Sequence, residues 1–303
     1  MGIRLYQQPS LHSPVLIAGW PGIGNIGLIA VDALRTMVEA EDLGEIEPWE
    51  FFYPRKLIIR DGQLDDLEFP ANRFYYKKSE KQDLIFFTGE EQPVDEGSAY
   101  AQGTKAYQLA NLVLDVAVKF GCRKVYTSGA AVALIHHTAR SKVWAVPNAA
   151  HLIEEVRSYQ NTVLMSDIEG RSGQGHISGL NGLLLGVARK RGLDAICLMG
   201  EVPAYLQAFP IPYPKASRSV LEVLTEVLGI TGDLEGIVSL AGHTEEEIDR
   251  LCESFPQEIK EQIDRLAREP LERTSEPGPI TDEDKQRILE EIDRFFKRET
   301  KED

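Results

Sequence analysis

Two rhythms of apolar and polar positions alternate along the first 230 residues of the chain. Short apolar runs at 15–20, 83–88, 124–127, 142–146, 162–165 and 195–199 have the length of buried strands. Between them, apolar residues recur at helical spacing over 28–38, 104–120, 180–190 and 214–228. In the second of these helices Ala106, Leu109, Ala110, Val113, Ala117 and Phe120 form the apolar stripe, and Gly121 ends it. Gly229 closes the last one in the same way. Strands alternating with helices predict an α/β fold with a mostly parallel sheet covered on both faces. The stretch 50–77 departs from this: strands at 50–53, 56–60 and 73–77, with turns near Asp61-Gly62 and Pro70, predict an antiparallel addition at one edge.

After about residue 230 the strand pattern stops. This divides the chain into an α/β domain, 1–230, and an acidic amphipathic helical extension, 231–303. Thr244 with Glu247, and more loosely Thr281 with Asp284, have the spacing of a capping box. Ile248, Leu251, Cys252, Phe255 and Ile259 mark one apolar stripe, and Ile288, Ile292, Phe295 and Phe296 another. Between them 269–280, rich in Pro, Glu and Ser, reads as a linker. Helices of this kind do not hold their shape alone in water. The extension therefore has to pack on the body, on itself or on a partner, and the second stripe is a candidate interaction surface.

Composition narrows the function. The chain has 303 residues, 43% hydrophobic and 27% charged, a globular balance with enough length for a sizeable core. Its formal net charge is -15, and residues 243–303 hold 20 acidic and 11 basic side chains, a net of -9. Such a surface repels phosphate backbones, so nucleic acid is not an expected partner. No run approaches the roughly 20 apolar residues that span a bilayer, and the opening MGIRLYQQPSLHSP lacks the apolar centre of a signal peptide. The three cysteines, Cys122, Cys197 and Cys252, are far apart and read as small buried hydrophobes in a reducing compartment. A cytoplasmic protein is expected.

Several turns could carry chemistry. Gly22-Ile23-Gly24-Asn25-Ile26-Gly27 follows a strand and opens a helix, the context of a dinucleotide-binding G-x-G-x-x-G turn. The usual acid ending the second strand is missing; Pro54-Arg55 stands there instead. The turn could hold a dinucleotide or another anion at the helix N-terminus, or simply pack tightly on its neighbours. Two strands end alike, in Gly89-Glu90 and Gly200-Glu201, at the strand ends where ligands bind in open parallel sheets. Glu90 and Glu201 could act as acid and base or hold a metal, or they could cap neighbouring helices, hydrogen-bond loop amides or belong to an interface. A second glycine-rich turn, 173–182, places His176 and Asn181 at a helix start. His136-His137 is a poor metal motif, because adjacent side chains point apart. Ser128-Gly129 is read as the turn after a strand. The chain contains no G-x-S-x-G, P-loop or H-E-x-x-H signature. The candidate pocket is therefore Gly22, Gly24, Asn25, Gly27, Glu90, His176, Asn181 and Glu201, with no metal and no cofactor expected.

These same segments resemble one family. Gly19-Trp20-Pro21-Gly22 with Asn25 and Gly27, then Thr88-Gly89-Glu90-Glu91-Gln92-Pro93, then 177–186, 195–201 and Tyr213-Pro214-Lys215-Ala216, are similar to the ordered motifs of the proteasome assembly chaperone 2 family. The resemblance covers about residues 12–230. It implies a three-layer α/β/α sandwich like that of nucleoside phosphorylases, a homo-oligomer with a trimer as the first expectation, and protein partners among proteasome subunits. It implies a non-catalytic assembly chaperone; the alternative is an enzyme or small-ligand binder using a pocket at the C-terminal strand ends. The ending Thr300-Lys301-Glu302-Asp303 departs from the hydrophobic-Tyr-any-residue end of chaperones that dock by their C-termini.

Overall fold

The computed structural model describes residues 2–94, 103–167 and 176–268. The linker 269–280, the stripe Ile288, Ile292, Phe295 and Phe296, and Gly173 to Gly175 lie outside the described residues.

The strands are β1 (Ile3–Leu5), β2 (Val15–Gly19), β3 (Glu41–Ile46), β4 (Lys56–Arg60), β5 (Gln63–Glu68), β6 (Asn72–Lys77), β7 (Leu84–Gly89), β8 (Lys124–Ala133), β9 (Val143–Pro147), β10 (Thr162–Leu164) and β11 (Asp194–Pro203). The helices are α1 (Ile26–Met37), α2 (Gly103–Lys119), α3 (Ile153–Arg157), α4 (Gly179–Lys190), α5 (Pro214–Leu228), α6 (Glu235–Glu253) and α7 (Gln257–Arg268). Nine strands form one sheet in the order β1-β3-β6-β7-β2-β8-β11-β9-β10, and β4 with β5 forms a separate hairpin. The central strands β7, β2, β8 and β11 run parallel. The flanks β1-β3-β6 join antiparallel, as does β9 beside β11.

The sheet is covered on both faces, and its strands sort their side chains by the period of two. In β2, Val15 and Ile17 enter the core shared with α1, α5 and α6, while Leu16 and Ala18 enter the core shared with α2 and α4. In β11, Ile196 and Leu198 face the first core and Ala195 and Cys197 the second. This is the expected α/β/α sandwich, parallel at its centre and mixed at its edges. Pro214 opens α5, and Gly229, in the left-handed region at φ 63°, ends it. There the Gly229 and Ile230 N–H groups donate to Glu226 and Thr225 carbonyls, a Schellman closure.

Three local expectations change. Residues 50–53 form a turn after Pro48 and not a strand; the strand is β3, upstream. β3 has the polar sequence EDLGEI and buries only Leu43, Gly44 and Ile46, so its strand character comes from pairing with β1 and β6. Ser128-Gly129 does not turn the chain, because β8 continues to Ala133, matched along ten positions by β11. Thr244 lies inside α6, where its hydroxyl donates to the Leu240 carbonyl, so it caps nothing.

Both α6 and α7 lie on the body. Ile237, Ile248, Phe255 and Ile263 are buried in the core of the α1–α5 face, with Leu251, Cys252 and Ile259 packed around them. Polar ties accompany this stripe. His137, in the loop after β8, sets Nε2 2.7 Å from the Asp249 carboxylate on α6, and Lys215 on α5 pairs with Glu245.

Candidate functional site

The parallel strands β2, β8 and β11 run in the same direction; β2 stops at Gly19 while β8 and β11 continue past it, and a depression lies over this step in the sheet. A cavity of about 250 Å³ opens there. Its walls come from Trp20 and Gly22 after β2, Ile26 and Gly27 on α1, Gly129 to Val132 on β8, Trp144 on β9, Met199 on β11, and His176, Ile177, Ser178 and Asn181 at the start of α4.

Gln92 holds this region together. Its Nε2 donates to the Pro21 carbonyl at 2.5 Å, and its Oε1 accepts from the Leu180 N–H at 2.8 Å. One amide thus clips the turn after β2 to the first turn of α4, whose open N–H groups need acceptors. Trp20 is fully buried and stacks at 5.0 Å on Phe87. A side chain on Gly89 would meet the Trp20 indole at 2.4 Å, so the glycine before Glu90 is required for close packing.

Of the sequence candidates, Gly22, Gly27, His176 and Asn181 line the cavity. Asn181 is 7% exposed, and its Oδ1 has no hydrogen-bond partner among the described residues. The other four stand elsewhere. Gly24 adopts φ 62° and is covered by Tyr213, whose N–H donates to the Gly24 carbonyl at 2.8 Å. Asn25 is the left-handed residue preceding α1. Glu90 turns outward to Arg55 at 2.7 Å and to the Ala71 N–H at 3.0 Å. Arg55 also binds Glu91 at 2.5 Å, so it ties the hairpin base to the end of β7. Glu201 is buried and accepts from the Trp144 indole at 2.8 Å and the Lys142 N–H at 2.9 Å, fixing β9 against β11. The two Gly-Glu strand ends therefore do not converge: one holds a loop and the other braces a cavity wall from behind.

Two features were not visible in the sequence reading. Gln92 lies within the Thr88-Gly89-Glu90-Glu91-Gln92-Pro93 motif, yet nothing in the sequence says which two distant segments its amide joins. His137 is 2% exposed; its N–H and Nδ1 meet the Tyr205 hydroxyl at 2.8 and 2.7 Å, and its carbonyl accepts from Lys215 at 2.6 Å. Next to it, burial lowers the pKa of His136, whose ring stacks 4.1 Å away. Burial pushes the Cys197 thiol up to about 11 and the Cys122 thiol up to about 12, so both stay protonated at neutral pH and pack as hydrophobes. Among the described residues no three His, Cys, Asp or Glu side chains are placed to hold a metal, and no helix is long and apolar enough to cross a membrane.

An uncharacterised protein of Methanocaldococcus jannaschii is 28% identical over 249 residues, covering 82% of this chain and 86% of that protein. The crystal structure of Pyrococcus furiosus PbaB, an archaeal proteasome activator, is similar at TM-score 0.68 and 29% identity, over 82% of this chain and 98% of that one. The fold is shared with Pyrococcus furiosus PbaA, an archaeal homologue of proteasome-assembly chaperone, at TM-score 0.61 and 22% identity, over 89% of this chain and 98% of that one. The PAC2 family pattern runs over residues 16–252, from β2 through the buried stripe of α6, and the chain belongs to the PAC2 family.

Proposed function

We propose that this protein is a non-catalytic assembly chaperone that works in the cytoplasm as a homo-oligomer and binds proteasome subunits. The observation that carries this reading is the 29% identity to an archaeal proteasome activator across nearly all of that chain. The three motif segments that Gln92 brings together give it a structural counterpart: they are joined to each other, and they stiffen one end of the sheet. In this reading the α/β domain, 1–230, supplies the rigid body. The extension, 231–303, supplies a second contact through Ile288, Ile292, Phe295 and Phe296. The immobilised full-length chain is expected to retain α-subunits, free or in the 20S particle, from its own source organism. No retention at micromolar concentration rejects the proposal.

The second reading is a small-ligand binder, favoured by the buried, unpartnered Oδ1 of Asn181 in the cavity wall. An acceptor left this way costs roughly 1–3 kcal/mol, which a ligand donor would recover. A thermal-shift panel of nucleosides, nucleotides and inorganic phosphate tests it. One member at 100 times its Kd should stabilise the protein by about 2.7 kcal/mol. A panel without any shift rejects this reading and leaves the chaperone reading standing.

A further inference from the structure

The cavity at the step beyond β2 has a lining that carries no fixed charge. Among the described residues that form its walls, none is Asp, Glu, Lys or Arg. His176 is exposed to water, where a charge is screened. The deeper walls are the indoles of Trp20 and Trp144, the thioethers of Met165 and Met199, and Ile26. An ion entering here would give up its hydration with no buried opposite charge to meet it. The volume of about 250 Å³ lies below the roughly 300–1,000 Å³ of pockets for drug-sized ligands, so the occupant is small.

Most of the polar groups in these walls are already engaged. Gln92 spends its amide on the Pro21 carbonyl and the Leu180 N–H. That second bond also takes an N–H of the α4 N-terminus that an anion would otherwise use. The Trp144 indole N–H is held by Glu201.

Asn181, in the first turn of α4, is the exception. It is 7% exposed, and its Oδ1 has no hydrogen-bond partner. Its Nδ2 looks toward Gly129 on β8, where a Cβ would stand 3.6 Å away. With no side chain on Gly129, the space beside the amide stays open. Rotation about χ2, a soft torsion in Asn, turns both amide atoms toward one edge of a ligand. A primary amide offers an acceptor and a donor side by side. Its complement is an N–H beside a C=O on the same edge. An open-chain secondary amide is trans and holds these groups on opposite sides. A ring holds them together.

We infer that this cavity receives a small uncharged ring of the cyclic amide or imide class. The ring N–H donates to Asn181 Oδ1, and the adjacent C=O accepts from Asn181 Nδ2. The ring faces lie against Trp144 and Met199, whose side chains suit a flat apolar surface. This occupant presupposes the small-ligand reading above, and the experiment separates the two.

Thermal shift of the full chain with uracil and with valerolactam makes the test. Each should raise the melting temperature in a concentration-dependent way. Dimethyluracil, methylated at both N–H groups, and valerolactone, with oxygen in place of N–H, should bind at least about tenfold more weakly, the factor for one lost hydrogen bond. Asn181→Leu should abolish the shifts and leave the melting temperature of the free protein equal or higher, because Oδ1 loses no partner. Gly129→Ala places a methyl group beside Nδ2 at ordinary contact distances, so it should fold normally and weaken both ligands. The inference falls if wild type responds to neither ring, if the counterparts without N–H bind equally well, or if either variant responds undiminished. Should both rings fail while inorganic phosphate or orotate gives a shift, the small-ligand reading survives with a charged occupant. Silence from all of them removes that reading as well.

Discussion

Replacing Ile248 by Asp is expected to lower the melting temperature by on the order of 10 °C and to lower it for the whole chain in one transition. Ile248 is fully buried in the core of the α1–α5 face, in the C-terminal half of α6. The change removes a large apolar side chain, worth roughly 1.5–3 kcal/mol when buried. It also buries a carboxylate, and among the described residues no Lys or Arg is buried to meet it, a cost of several kcal/mol for an unpaired charge. A combined loss of about 4–5 kcal/mol is at the severe end for a point change, and each kcal/mol shifts a domain of this size by about 2–4 °C. The polar ties on the same helix matter less: Asp249 is 59% exposed where it meets His137, and exposed pairs contribute about 0–1 kcal/mol. Circular dichroism during heating makes the measurement. A melting temperature within a degree or two of wild type would mean that α6 detaches without disturbing the body, as expected of an extension that begins at residue 231.

The stripe containing Ile248 was legible in the sequence because helical spacing names the residues of an apolar face. The surface it covers was not legible, because spacing carries no record of the partner. The same division recurs through the molecule. α5 was readable to the residue: Pro214 fits the first helical position and Gly229 the left-handed cap, both local constraints. The second half of β8 is not legible, because Ser128, Gly129 and Ala130 have no strand preference of their own; pairing with Leu198, Met199 and Gly200 of β11 holds them extended. β3 was missed for the same reason. In the candidate site, composition marks the glycine-rich turns, and four of the eight candidate residues, Gly22, Gly27, His176 and Asn181, line the cavity. Glu90 and Glu201 were grouped because their strands end alike, yet each is claimed by a neighbour that is distant in sequence, Arg55 for one and Trp144 for the other.

The three glycines of 22–27 look equivalent in sequence, and they should respond to substitution in three different ways. Gly22 is extended at φ -172°, and a Cβ there would meet nothing within 4 Å, so Gly22→Ala should leave the melting temperature nearly unchanged. Gly24 is at φ 62°, and a Cβ there would stand 2.9 Å from that of Tyr213, so Gly24→Ala should cost about 1 kcal/mol or more from backbone strain alone. Gly27 is the critical one. A Cβ on it would lie 2.2 Å from the Ser128 carbonyl oxygen and 2.6 Å from its carbon, and these are backbone atoms of a central strand, paired there with Leu198 of β11 and one residue past its pairing with β2. That strand cannot retreat without breaking its ladder, so α1 has to lift. Overpacking of this kind costs typically 1–3 kcal/mol and sometimes more, well beyond the few tenths of a kcal/mol that a helix gains from losing a glycine in favour of valine. Gly27→Val is therefore expected to be the most damaging of the three, with a loss of about 3 kcal/mol and a widened gap between α1 and β8. The order also distinguishes a packing turn from a dinucleotide-binding turn. In the latter the middle glycine admits a pyrophosphate, whereas here the Tyr213 backbone already occupies that approach. Thermal unfolding of the three single variants reads the order directly, and equal losses at Gly22 and Gly27 would overturn it.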